Sequence, residues 1–103
     1  MQLSGQVVRQ PEKRVTPAGI PITRLVLEHV SQQTEAGLQR EAGFRILLVC
    51  TGTALAAQAE ALQLDQQLLV EGFITRENYR DADRRLALHV QHMTLMGVNG
   101  RPE

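Results

Sequence analysis

Apolar residues alternate with polar ones over residues 22–30, ITRLVLEHV. Thr23, Leu25 and Leu27 share one face there, and Arg24, Val26 and Glu28 share the other. A period of two predicts a strand with one side in a core. Residues 2–10 predict an earlier strand, in which Leu3, Val7 and Val8 stand among polar residues and Gly5 suits a bulge or a sharp coil. Between the two, Thr16-Pro17-Ala18-Gly19 has proline second and glycine fourth, which is a type I turn signature. Residues 31–42 are polar and without an aromatic ring, and predict a long loop. Residues 44–51, FRILLVCT, are almost continuously apolar and predict a strand buried on both faces. The pattern then changes. In residues 53–62, TALAAQAEAL, alanine dominates, and Leu55, Ala59 and Leu62 fall on one stripe of a short helix. Residues 67–76, QLLVEGFITR, return to strand character with Gly72 inside the run and Phe73 expected in the core. Residues 77–84 are a polar turn region, and residues 85–96 carry Leu86, Leu88, Val90 and Leu95 in a last strand.

The order is strand, strand, strand, helix, strand, strand. With 103 residues, the chain has the length of one domain. An all-β OB-fold fits: a five-stranded, partly open Greek-key barrel with one short helix between strands three and four. A small β-sandwich would have no use for a lone alanine-rich helix at that place. The domain is expected to span residues 1–97, with 98–103 as a short frayed tail.

Composition narrows the class. Hydrophobic residues make up 43% and charged residues 21%, which reads as globular rather than disordered. The longest apolar run, Ile46 to Cys50, is far short of the roughly 18 residues a bilayer demands. No basic stretch followed by an apolar one opens the chain, so no secretory signal is visible and the cytoplasm is expected. Cys50 sits in the apolar run, where an inert buried thiol is expected.

Formal net charge is zero, which does not suit a strongly basic nucleic-acid binder. The positions of the cations change that picture. All are arginine except Lys13, and arginine both pairs with phosphate and stacks on bases. An OB-fold holds its ligand on strands two and three, flanked by the first-second and fourth-fifth loops. Lys13 and Arg14 fall in the predicted first-second loop, and Arg24 and Arg45 on strands two and three. Arg40 falls in the loop between those strands, and Arg76, Arg80, Arg84 and Arg85 in or beside the fourth-fifth loop. Each has a plain surface reading as well: Lys13 and Arg14 as solubilising charge, and the last three as a hairpin tip paired with Asp81 and Asp83. Tyr79, among those charges, suits base stacking better than a core, and Phe44 suits either.

Catalysis finds little support. His89 and His92 are three apart on a strand and point to opposite faces, which is poor geometry for a shared metal. His29 reads as a hydrogen-bonded structural residue. There is no phosphate-binding glycine loop, zinc signature or nucleophile elbow, so neither an enzyme nor a cofactor is expected.

Several stretches together carry a family resemblance: Leu3-Ser4-Gly5, Arg14-Val15-Thr16-Pro17-Ala18-Gly19-Ile20-Pro21, Leu25-Val26-Leu27-Glu28-His29, Glu35-Ala36-Gly37, Val70-Glu71-Gly72-Phe73-Ile74 and Leu88-His89. In these the chain resembles the bacterial primosomal replication protein N family, PriB, which is related to single-stranded DNA-binding proteins. The resemblance implies a homodimer of OB-folds that binds single-stranded DNA, contacts the replication-restart helicase and a helicase-loading protein, and uses Arg14, Arg80 and Arg85 as binding cations. Val26 and Val8 are candidates for the dimer interface. Family cations or aromatics are replaced here by Val30, Leu38, Gly43 and Asn78, which implies weaker DNA binding than the family norm. The other reading of the residues is an OB-fold adaptor that binds proteins and retains weak DNA binding.

Overall fold

Thr23, Leu25 and Leu27 are all buried, as the alternation of their strand requires. The computed structural model describes residues 1–76 and 86–97. Its elements are β1 (Gln2–Val15), β2 (Pro21–Glu35), β3 (Leu38–Thr51), α1 (Thr53–Glu60), β4 (Gln67–Arg76) and β5 (Leu86–Met96). The strands close into a barrel in the order β1-β2-β3-β5-β4. Every pairing is antiparallel except β3 with β5. Leu3, Val7, Ile46, Leu48, Leu68, Val70, Leu88 and Val90 fill the interior with Leu25 and Leu27.

Helix α1 packs on this core through Ala56 and Ala59, followed by Leu62 and the partly buried Leu55. The Thr23 hydroxyl donates to the Ala56 carbonyl at 3.0 Å, so the one buried polar side chain among the described residues ties β2 to the helix.

Three sequence expectations change. Residues 31–42 are not a loop. They are the outer halves of β2 and β3, paired from Ser31↔Ala42 to Glu35↔Leu38. Ala36 and Gly37 make the turn with φ of 52° and 77°. Positive φ at both central residues is the twist that joins two strands tightly. The stretch is polar because this ribbon leaves the barrel and both of its faces meet solvent.

Lys13 and Arg14 also lie on a strand, opposite Thr23 and Ile22. The register shifts between Arg9 and Glu12 let β1 carry Pro11, whose missing N–H is tolerated at a bulge. The first-second loop shrinks to a tight turn closed by Gly19 N–H donating to the Thr16 carbonyl at 2.8 Å. Phe73 is not in the core: with Leu68, Val70 and Gly72 facing inward, it faces out and is 51% exposed.

Cys50 is buried, and burial pushes its thiol from 9.0 up to about 12. The unfolded thiol ionises first, so the folded state holds the extra proton between those values and loses stability as pH rises through them. The stability gap between the wild type and Cys50→Ala is therefore expected to narrow as pH climbs above 9, measured by urea unfolding at stepped pH.

Candidate nucleic-acid interface

Registered partners on neighbouring strands place their side chains on the same face. Reading outward positions across the sheet gives a row Arg9–Val26–Leu47 and a row Glu12–Arg24–Val49 beside it. A third row runs Gln6–Glu28–Arg45. Arginine therefore appears in each row, over a floor of valine and leucine. An open groove of about 820 Å³ runs along this face. Val8, Arg9, Val26, Phe44, Arg45 and Leu47 line it, together with Ile74 and Leu86.

The cations on this face stand close to carboxylates. Arg45 Nε donates to Glu28 Oε2 at 2.8 Å, and Glu12 lies opposite Arg24. A phosphate entering the groove must compete with Glu28 for the Arg45 guanidinium. Such an exposed pair is worth only about 0–1 kcal/mol, so a phosphate can displace it.

Phe44 is 44% exposed and stands at the groove rather than in the core. It is held from behind: the His29 ring lies 5.2 Å from it, centroid to centroid. His29 is itself fixed at both nitrogens. The Ser4 carbonyl lies 2.7 Å from Nδ1 and can only accept, so Nδ1 carries a proton. Nε2 meets the Ser31 hydroxyl at 3.0 Å, and Gln33 Nε2 donates to that same oxygen at 2.8 Å. The expected structural role of His29 is thus seen, and it serves a ring that faces the groove. Replacing His29 with alanine is expected to free the Phe44 ring and lower single-strand affinity about threefold with the fold kept. Anisotropy titration beside a thermal melt checks both halves of that expectation.

The structure brings Arg24 and Arg45 to one face, and Phe44, next to Arg45 on β3, lines the groove from the other side of the strand. It does not bring Lys13 or Arg40 there. Lys13 reaches Glu60 at the end of α1 at 3.6 Å, and Arg40 pairs with Glu35 on the projecting ribbon at 3.4 Å. Arg14 lies at the end of β1 opposite Ile22. Tyr79, Arg80, Arg84 and Arg85 lie outside the described residues. Sequence reading missed Arg9, whose place in the groove depends on the bulge between Val7 and Arg9. No group of histidine, cysteine and acidic side chains able to hold a metal occurs among the described residues.

A five-stranded barrel closed through β3 and β5, with a helix between β3 and β4, is an OB-fold, the class also seen in single-stranded DNA-binding proteins. The fold of a single-stranded DNA-binding protein from Thermus aquaticus overlays it with a TM-score of 0.79 at 22% identity, covering 99% of this chain and 52% of that one. Residues 1–92 match the model of another single-strand binding protein family. The replication restart protein PriB of Photorhabdus laumondii is 39% identical over 94 residues, 91% of this chain and 90% of its own length. The structure of PriB from Ralstonia solanacearum gives a TM-score of 0.79 at 26% identity, covering 94% of this chain and 96% of that one. The chain belongs to the PriB family. No helix among the described residues is long and apolar enough to cross a membrane.

Proposed function

We propose that this chain binds single-stranded DNA during replication restart, as an accessory protein of the cytoplasmic primosome. The observation that carries the reading is the open groove that Arg9, Arg45 and the exposed Phe44 line together with Val8, Val26 and Leu47. Arginines there would neutralise phosphates and release counterions, each neutralised phosphate adding about −0.7 to the slope of log affinity against log salt. Phe44 would add stacking that tolerates any base. Arg24 would extend the charged track. Tyr79, Arg80, Arg84 and Arg85, between β4 and β5 in sequence, would add to the binding residues.

The relatives named replication restart protein PriB support the cellular setting. In it, the chain would act as a homodimer with two grooves side by side. It would touch the restart helicase and the helicase-loading protein, and it would bind DNA rather than catalyse a reaction.

A protein-binding adaptor is the second reading. The zero net charge and the carboxylates beside Arg24 and Arg45 favour it. Fluorescence anisotropy with a labelled single strand of about 30 nucleotides separates the two, since one OB-fold covers about 4–16 nucleotides and a dimer could engage fully. Salt-sensitive binding that prefers the single strand over an equal duplex is expected. Absence of binding at tens of micromolar protein in low salt would leave the adaptor.

A further inference from the structure

Phe73 is half exposed on the outward face of β4, and its ring stacks on His89 of β5. The centroids are 5.1 Å apart and the planes differ by 5°. One face of the phenyl ring is therefore covered by the imidazole, and the ring's remaining surface faces outward. His89 is half-buried, which anchors the stack to the barrel. An aromatic ring in this position gains little from the core, and it is not part of the groove lining.

Strand register shows where the stack lies. Phe73 is opposite His89, His89 opposite Val49, and Val49 opposite Arg24. The stack is thus the continuation of the Arg24 row around the barrel, on the same outward surface. Three inter-strand steps of about 4.8 Å separate Phe73 from Arg24. Thr75, two residues on, continues the row Arg9–Val26–Leu47 through Ala87. The stack therefore flanks the apolar floor of the groove, one row over from it.

We infer that the Phe73–His89 stack is a second base-stacking platform, which carries the single strand out of the groove and across the β4–β5 face. This rests on the proposed function. A flat ring backed by another flat ring suits a planar base, because stacking needs no rearrangement of the protein. Arg24, the one arginine of that row, would take a phosphate of the strand that leads to the stack. A single strand would then stack at Phe44, cross the arginine-bearing rows and stack again at Phe73. An enzyme-like pocket is not needed, and the occupant is a nucleobase of any identity.

The test uses the intact protein and a thymine oligonucleotide carrying one 5-iododeoxyuridine, photolysed at near-ultraviolet wavelengths. Trypsin separates the rings cleanly: Phe44 falls in peptide 41–45, Phe73 in 46–76 and Tyr79 in 77–80. Cross-links at Phe73 as well as in peptide 41–45 are expected. Phe73→Leu should weaken binding about tenfold while Phe73→Trp keeps it, since the ring and not its bulk stacks. Cross-links elsewhere alone, with Phe73→Leu binding like the wild type, would overturn the inference and leave the groove standing. A Phe73→Leu variant that loses self-association in sedimentation while keeping its DNA affinity would also overturn it and assign the ring to a second copy of the chain. Failure of the wild type to bind any single strand would remove the proposed function and this platform together.

Discussion

Alanine at both Arg9 and Arg45 is expected to weaken single-stranded DNA binding about a hundredfold at low salt. A hydrogen bond to a charged group is worth about 1.5–3 kcal/mol, and about 1.4 kcal/mol is a tenfold change in affinity. Two such contacts account for the loss. Removal of Arg45 also uncovers Glu28, whose carboxylate would then face the phosphates without its partner 2.8 Å away. The salt dependence should flatten as well, by about 1.4 in the slope for two phosphates on a single strand. Neither arginine belongs to the core, and the pair Arg45–Glu28 is largely exposed, so the melting temperature should hardly move. Anisotropy titrations at four salt concentrations supply the affinity and the slope together. A weaker complex with an unchanged slope would mean that these side chains shape the groove without touching phosphate.

Valine at Gly72 is expected to cost about 3 kcal/mol of stability or more. A Cβ added at Gly72 would run into the His89 carbonyl and press on Val90 Cα across the β4–β5 pair. The clash is with backbone, so no side-chain rotation relieves it, and overpacking of this kind sits at the upper end of the usual range. Gly72 also exchanges two 2.9 Å hydrogen bonds with Met1, its amide donating to the Met1 carbonyl and its carbonyl accepting from the terminal ammonium. Moving Gly72 to make room would disturb the β1–β4 seam as well. Urea unfolding measures the change, with Phe73→Leu as a neighbour that should unfold like the wild type. A midpoint shifted by less than about 1 kcal/mol would show that β4 and β5 can part locally at the bulge between Glu71 and Gly72.

The barrel was legible from its alternation. The pattern of residues 67–76 predicts a strand and they form one, and the alanine-rich stretch after Thr51 forms the one helix among the described residues. Both have strong local signals: period-two apolar positions in the first, and alanine at helical spacing in the second. The ribbon of residues 31–42 was not legible, because a strand with water on both faces has no apolar period to read. Its one cue was the pair Ala36-Gly37, and alanine is an unusual occupant of a position with positive φ. Phe73 was misread for a different reason. Aromatic residues inside strands are commonly core, but a bulge shifts the register just before Gly72, and the inward positions are taken by Leu68, Val70 and Gly72 itself. At the candidate site, Arg24, Phe44 and Arg45 were legible as members of strands two and three. Arg9 was hidden by a bulge, and Lys13 was drawn to Glu60 by a contact between elements that no local pattern encodes.

The seam between β3 and β5 is short: Leu47↔Ala87, Leu48↔Leu88 and Val49↔His89. These partners are forty residues apart along the chain. By contrast, β2 and β3 pair over their whole lengths across a turn of two residues. Loop-closure entropy must be met before distant contacts repay it, so the order of assembly follows from the topology. The β2–β3 and β4–β5 pairs are local, while the β3–β5 and β1–β4 seams join strands far apart in the chain and must wait for them to meet. Arg45 and Phe44 thus sit on a hairpin of local contacts, while the Phe73–His89 stack comes beside Arg24 only when the β3–β5 seam closes.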